Sequence, residues 1–305
     1  MSTRRWHLPL WKSSESGILV PGDQSSSMSM SSSMTYLQIK EKAVGLRSFY
    51  ESRSIPLPNN CGLAELIQNA IDTSDHWLMG SHERISSNRL FGMVQLDRIA
   101  DAIAPLNEMN DCSRYLIHMT SGNLDPFKRE RSKSRDTLWE LELLATLKNR
   151  RFNAALEEPP DIVVNLNGAC IGIACKKFYS TKHVQSVLSD GVAQIEDSFD
   201  FGILAVNIDD LIPPDQIFKA PTQDEMGCAL SRANFQFLGN HERHFRKYLS
   251  TGRLLGALVS IGGIGDVFQD SPRLQTVRQA TIWVIPGLAP VKERVIHQFR
   301  DLIMG

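Results

Sequence analysis

Asn167-Gly168 is the tightest constraint in the chain. Both residues accept positive φ, and they stand between two apolar runs, DIVVNL (161–166) and ACIGIACK (169–176). A two-residue type I′ turn at this point predicts a β-hairpin. Its register follows by counting. Leu166 pairs with Ala169, and each step back on one strand is a step forward on the other, so Asp161 falls opposite Ala174. Side chains alternate along a strand, so Ala174 and Lys176 share a face and Asp161 points the same way. Opposed Cβ atoms lie about 4.5–5.5 Å apart and diagonal ones about 7–8 Å. A carboxylate and an ammonium thus meet at the open end of an apolar hairpin, with Cys175 and Lys177 turned to the other side.

The hairpin has neighbours with strong patterns of their own. Upstream, residues 136 to about 150 predict a helix, with Ser134 and Asp136 both acceptable N-caps. At 100° per residue Glu140 falls among Leu143, Leu144 and Leu147, whereas Glu142 lies on the flank with Ala145 and Thr146. A carboxylate among leucines is costly without a charged partner. That cost favours Glu140 as the functional acid, the alternative being that both glutamates are surface residues. Downstream, residues 184–197 predict a helix carrying Gln194, and FGILAVNI (201–208) reads as a buried strand. Strand, helix, strand implies a right-handed crossover.

This order of a helix glutamate, Pro160-Asp161, a hairpin, Lys176 and a helix with Gln194 resembles the PD-(D/E)xK nuclease superfamily over roughly residues 135–210. The resemblance implies an α/β fold of the restriction-endonuclease-like type, a mixed central sheet flanked by helices. It implies a metal-dependent nuclease acting on DNA, with Mg²⁺ or Mn²⁺ as cofactor. Asp161, Glu140 and the Cys175 backbone carbonyl would hold the metal, Lys176 would assist the attacking water or the transition-state charge, and Gln194 matches the family's helix glutamine. Position 174 carries an acid in that family and is Ala174 here. Three readings follow: the second acid comes from elsewhere (Glu140, Glu142 or Asp190), the protein binds nucleic acid without cutting it, or the site has been disabled by substitution. A role in bacterial defence follows by analogy alone.

Charge bears on this directly. The net charge of -1 leaves no global nucleic-acid footprint, so binding must come from a local patch. The stretch KRERSKSRD (128–136) offers one, with Lys128, Arg129, Arg131, Lys133 and Arg135 leading into the Glu140 helix. It is either a phosphate-contacting patch or a solvated loop. The five cysteines show no metal-ligand spacing and suggest reduced thiols in the cytoplasm. No apolar run approaches a membrane span of about 20 residues.

The remaining chain sets the domain expectation. Residues 1–34 end in a Ser/Met tract that predicts a disordered tail, and Met34 is a second candidate start. Residues 35–125 read as a helical N-terminal region, a surface for a second copy or a partner protein, with 115–117 a short strand or helix end. Residues 126–305 form the expected nuclease-like domain. There, 236–250 reads as a helix whose His241 and His244 lack the HExxH pattern. Residues 254–261 and 280–286 read as strands, GGIGD (262–266) between them as a turn, and the chain closes on an amphipathic helix.

Overall fold

The computed structural model describes residues 35–80, 85–128, 130–196, 198–213 and 216–304. The expected tail at 1–34 and Arg129 lie outside them. The fold is α/β, with N-terminal helices leading into a mixed seven-stranded sheet.

Four helices come first: α1 (Tyr36–Ser52), α2 (Gly62–Leu78), α3 (Ser87–Ile103) and α4 (Ser113–Met119). Thr35 opens α1 with a capping box closed by Gln38, which satisfies orphan donors at both ends of the exchange. The 115–117 stretch lies inside α4. Next is α5 (Lys133–Asn149), capped by Ser132 rather than by Ser134 or Asp136. The helix therefore starts a turn earlier than its apolar pattern suggested. Ser132 accepts from the Arg135 N–H, and Ser134 is already inside, buried against the 121 turn.

The sheet follows. Its strands are β1 (Asn153–Leu156), β2 (Ile162–Leu166), β3 (Ala169–Lys177), β4 (Phe201–Asn207), β5 (Phe218–Ala220), β6 (Gly256–Val267) and β7 (Leu274–Trp283). They run in the order β1-β2-β3-β4-β6-β5, with β7 on the other side of β6. The β2–β3 hairpin has the expected register, Leu166 to Ala169 through Ile162 to Ile173. Asn167 and Gly168 sit at φ 50° and 87°, the left-handed pair that a type I′ turn needs. A Cβ on Gly168 would meet nothing within 4 Å, so conformation, not crowding, calls for glycine there. α6 (Val184–Glu196) carries the chain from β3 to β4, and those strands are parallel.

Two elements differ from expectation in the last third. The helix read at 236–250 is two helices, α7 (Gln223–Asn240) and α8 (Glu242–Leu249), broken at His241. The GGIGD stretch is not a turn but the C-terminal half of β6. A Cβ on Gly262 would lie 2.9 Å from the Val277 carbonyl oxygen, and one on Gly265 would lie 2.6 Å from a Val277 methyl. Those glycines serve close packing on β7. α9 (Pro290–Met304) ends the described chain.

The sheet separates two cores. One face packs on α1 to α5 and α9 in a single apolar cluster that runs from Ile39 through Leu144 and Ile173 to Ile303. The N-terminal helices therefore share a core with the sheet instead of forming a separate layer. The other face packs on α6, α7 and α8 around Leu188, Leu204, Phe237 and Val259. α5 is the central helix of the first layer: residues all round it, from Ser134 to Leu147, are buried except Asp136 and Glu140. Among the described residues no helix is long and apolar enough to cross a membrane.

Candidate active site at the open end of the hairpin

β2 begins at Ile162, and the residues before it, Glu158-Pro159-Pro160, leave the ladder. Continuing the register one step places Asp161 against Ala174. There the Cys175 N–H donates to Asp161 Oδ2 at 2.6 Å. A residue's N–H and C=O face the same neighbouring strand. The Cys175 carbonyl therefore faces the same gap, where the residue next in register is Pro160, which has no N–H to offer it.

Lys176 lies on the next pleat. Its Nζ donates to Gln194 Oε1 on α6 at 2.5 Å, which brings together the two residues that sequence order alone had paired. Their approach depends on Gly191, one turn earlier on α6. A Cβ there would sit 2.5 Å from Leu204 Cδ1, 3.1 Å from Lys176 Cε and 3.2 Å from Lys176 Cγ. The glycine leaves the path along which the lysine side chain runs.

Glu140 comes from α5. Lys133, Asp136 and Glu140 are spaced i, i+3, i+7, one stripe of the helix. Tyr179, just past β3, donates from its hydroxyl to Asp136 Oδ1 at 2.9 Å. That bond ties the stripe to the end of the hairpin strand. Glu140 is half-buried, and burial, then the Asp161 charge, push its carboxyl up to about 8. Burial also raises Asp161, to about 6, although the Cys175 N–H and the Lys176 charge pull it back. Two neighbouring carboxyls with raised pKa values form an acidic pair short of positive charge.

Glu142 has a different fate. It lies about 200° round the helix from Glu140 and is buried in an ionic network. Arg98 binds it and also reaches Asp209 Oδ2 at 2.5 Å, and Arg278 Nη2 lies 2.6 Å from Glu142 Oε1. Beside it, Asp210 takes Arg135 at 2.9 Å and Lys177 at 3.1 Å. Burial works against the Asp209 charge, but Arg98, Lys177 and Arg278 outweigh it and hold the carboxyl well below its usual range. Lys177, on the opposite side of β3 from Lys176, is thus a structural lysine.

The basic stretch divides in the same way. Arg135 does not belong to a phosphate-contacting patch. It is 6% exposed, and its guanidinium donates to the carbonyls of Asn123, Asp125 and Lys128 as well as to Asp210. Lys128 and Arg131 are exposed, at 3.9 Å from Asp125 and 3.8 Å from Asp136. Lys133 is exposed and its charge acts on both Glu140 and Asp161.

Three residues near the site escaped the sequence reading: Gly191, Arg114 and His118. The latter two are four apart on α4, a spacing that puts them on one helix face, but the sequence leaves 115–117 open between a short strand and a helix end. Arg114 contacts Glu158, in the segment that delivers Asp161.

Among the described residues no group of three or more His, Cys, Asp or Glu side chains is placed to hold a metal ion. What the site offers is leaner: the Asp161 and Glu140 carboxylates and the Cys175 carbonyl. That all-oxygen set suits Mg²⁺, which keeps several waters and takes one or two carboxylates. Ala174 is fully buried in the core beneath α6 and contributes a methyl group only. Cavities of about 30, 690 and 860 Å³ lie elsewhere, none lined by Asp161, Glu140 or Lys176. Comparison with protein-family models, curated proteins and solved structures found no match to this chain.

Proposed function

We propose that the protein is a metal-dependent nuclease of the PD-(D/E)xK type, with a restriction-endonuclease-like arrangement of the β2–β3–α6–β4 unit. The observation that carries this reading is the acidic pair Asp161 and Glu140, both raised by burial, beside a lysine two residues past the position opposite Asp161. An ionic interior would neutralise such a pair, as the Glu142 network does. A pair left short of charge suits a cation that arrives from solution.

Asp161, fixed by the Cys175 amide, and Glu140 would hold Mg²⁺ or Mn²⁺ together with the Cys175 carbonyl. The bound ion would supply positive charge against a phosphate oxygen. Lys176 places an ammonium beside the same centre, where charge builds on the phosphate as water attacks and the sugar oxygen leaves. Gln194 orients that ammonium by accepting one of its hydrogens. The site is a partly exposed hairpin end rather than a deep pocket, which fits a polymer backbone such as DNA. The N-terminal helices present exposed Leu37, Trp77 and Met79, the surface expected to meet a second copy or a partner.

Ala174 favours a second reading. With a buried methyl group in place of the second acid, the protein would bind nucleic acid without cleaving it. One experiment separates the two. Plasmid and single-stranded substrates are incubated with the protein and Mg²⁺ or Mn²⁺, alongside Asp161→Ala and Lys176→Ala. Cutting by the parent and none by either variant supports the nuclease. Equal cutting by all three rejects the site.

A further inference from the structure

We propose that Arg114, His118 and Lys133 form a clamp for the phosphate next to the one that is cleaved, which makes α4 a substrate-binding helix. This rests on the nuclease reading of the neighbouring site. The clamp has a built geometry. Arg114 and His118 are one turn apart on α4, and Lys133 is the first residue of α5. The two helices are joined at this corner by the Ser134 N–H, which donates to the Ser121 carbonyl at 3.3 Å. Arg114 and Lys133 are exposed and His118 is half-buried.

The charges converge on one place. Arg114 and His118 are i, i+4 on α4 and so share a face, and after burial the charges of Lys133 and Arg114 lower the pKa of the His118 ring. Lys133 and Arg114 also act on Asp161. Arg114 touches Glu158, three residues before Asp161 in the chain. The cations therefore stand on the rim between α4, α5 and the segment that carries the acidic pair. In a chain of net charge -1, a polyanion needs such a local collection of positive charge to bind at all. The His118 ring offers an N–H, while Arg114 presents a fork of donors matched to phosphate oxygens. The Arg135 anchor holds the loop at 123–128 behind them, so the rim is positioned before substrate arrives.

The test is binding of a fluorescent single-stranded DNA by the full chain in EDTA, where no cutting occurs, over a range of salt. Each phosphate contact on a single strand contributes about 0.7 to the salt slope. Replacing all three residues with glutamine should flatten the slope by about 0.7, for the one phosphate that the clamp neutralises, and weaken binding about tenfold or more at low salt. Arg300→Gln on α9 should change neither. Glu158→Gln keeps the Arg114 cation and removes its acid, so it should tighten binding. If Arg114 only held the loop, Glu158→Gln would weaken binding as Arg114→Gln does, and the clamp would be rejected. Parent protein that cuts with Mg²⁺, while the triple variant keeps its slope and KM, overturns the clamp alone. Parent protein that binds through these residues but never cuts overturns the nuclease reading alone. A parent with no salt-dependent binding overturns both.

Discussion

The Asp161 carboxylate accepts the backbone N–H of Cys175 at 2.6 Å, so the acid is held by the strand it faces rather than by another side chain. That arrangement fixes one oxygen and leaves the other available. Asp161→Asn keeps a group of the same shape but loses the charge. It should retain the fold, with a Tm within a few degrees of the parent, and lose the rise in Tm that Mg²⁺ gives the parent. An equal Mg²⁺ response in calorimetric melts of the two proteins would remove Asp161 from the metal site.

Stability should depend on pH through Glu140 and Asp161. Their carboxyls stand at about 8 and about 6 in the folded protein, against about 4 in an unfolded chain. The native state therefore binds more protons over that window, and stability falls as pH rises from about 4 toward those values. Glu140→Gln should raise Tm at pH 8.5 and leave it nearly unchanged at pH 4. Because metal must displace protons, the Mg²⁺-induced rise in Tm should be larger at pH 8.5 than at pH 5.5. A difference between Glu140→Gln and parent that is constant across pH would contradict this.

Gly191→Ala tests the path of Lys176. The new methyl would crowd Leu204 most, at 2.5 Å, and Lys176 at 3.1 Å. Overpacking of this kind costs about 1–3 kcal/mol, readable by urea unfolding. Trimming the first neighbour by one methyl group with Leu204→Val, which avoids the larger cavity of an alanine at this buried position, should return part of that stability but not cutting, because the lysine remains displaced. Full recovery of kcat in the double variant would show that Gly191 serves packing alone.

Ala174→Glu should raise cleavage. The substitution places a third carboxylate in the acidic pair, which costs stability in EDTA because the site is buried. Mg²⁺ or Mn²⁺ should restore the lost stability and accelerate cutting of plasmid. A variant that melts early in both EDTA and Mg²⁺, with no gain in rate, would favour the non-cleaving reading.

Arg98→Met should be the most damaging of these changes. It leaves Glu142 and Asp209 buried with Arg278 as the remaining guanidinium of the trio. Breaking a buried ion pair costs about 3–5 kcal/mol. The Asp209 carboxyl is held low in the folded state, so its contribution is present above about pH 4 and is lost as pH falls below that. Unfolding of the parent on acidification should therefore steepen there, and Arg98→Met should lack that step.

The hairpin register was legible because one dipeptide sets it and everything after is counting. Helix α6 was legible from its apolar spacing, and strand β4 from a continuous apolar run. The long-range ionic network was not, because Arg98, Glu142, Asp209 and Arg278 share no local spacing. The choice of Glu140 over Glu142 was read from a one-sided wheel, yet α5 is covered on nearly every side. What distinguishes the two glutamates is which charges wait at the far end, a tertiary fact. Arg135 looked like a solvent cation because its run is basic, and its burial comes from carbonyls that the loop at 123–128 turns toward it. The glycines of GGIGD imitate a turn, but they answer to the backbone and side chain of Val277 on another strand. The start of α7 did carry a local signal, Thr222 with Glu225 three residues on, the pattern of a capped helix start.

Lys176 and Lys177 are adjacent in sequence and opposite in duty: one faces Gln194 and the acidic pair, the other neutralises Asp210 in the interior. A slip of the hairpin by one residue would exchange them. The interior would then receive an ammonium that now faces α6, and the candidate site would receive a thiol and a misplaced amine. A misaligned hairpin would disturb the candidate site and the ionic interior together, so the Asn-Gly reversal guards both at once.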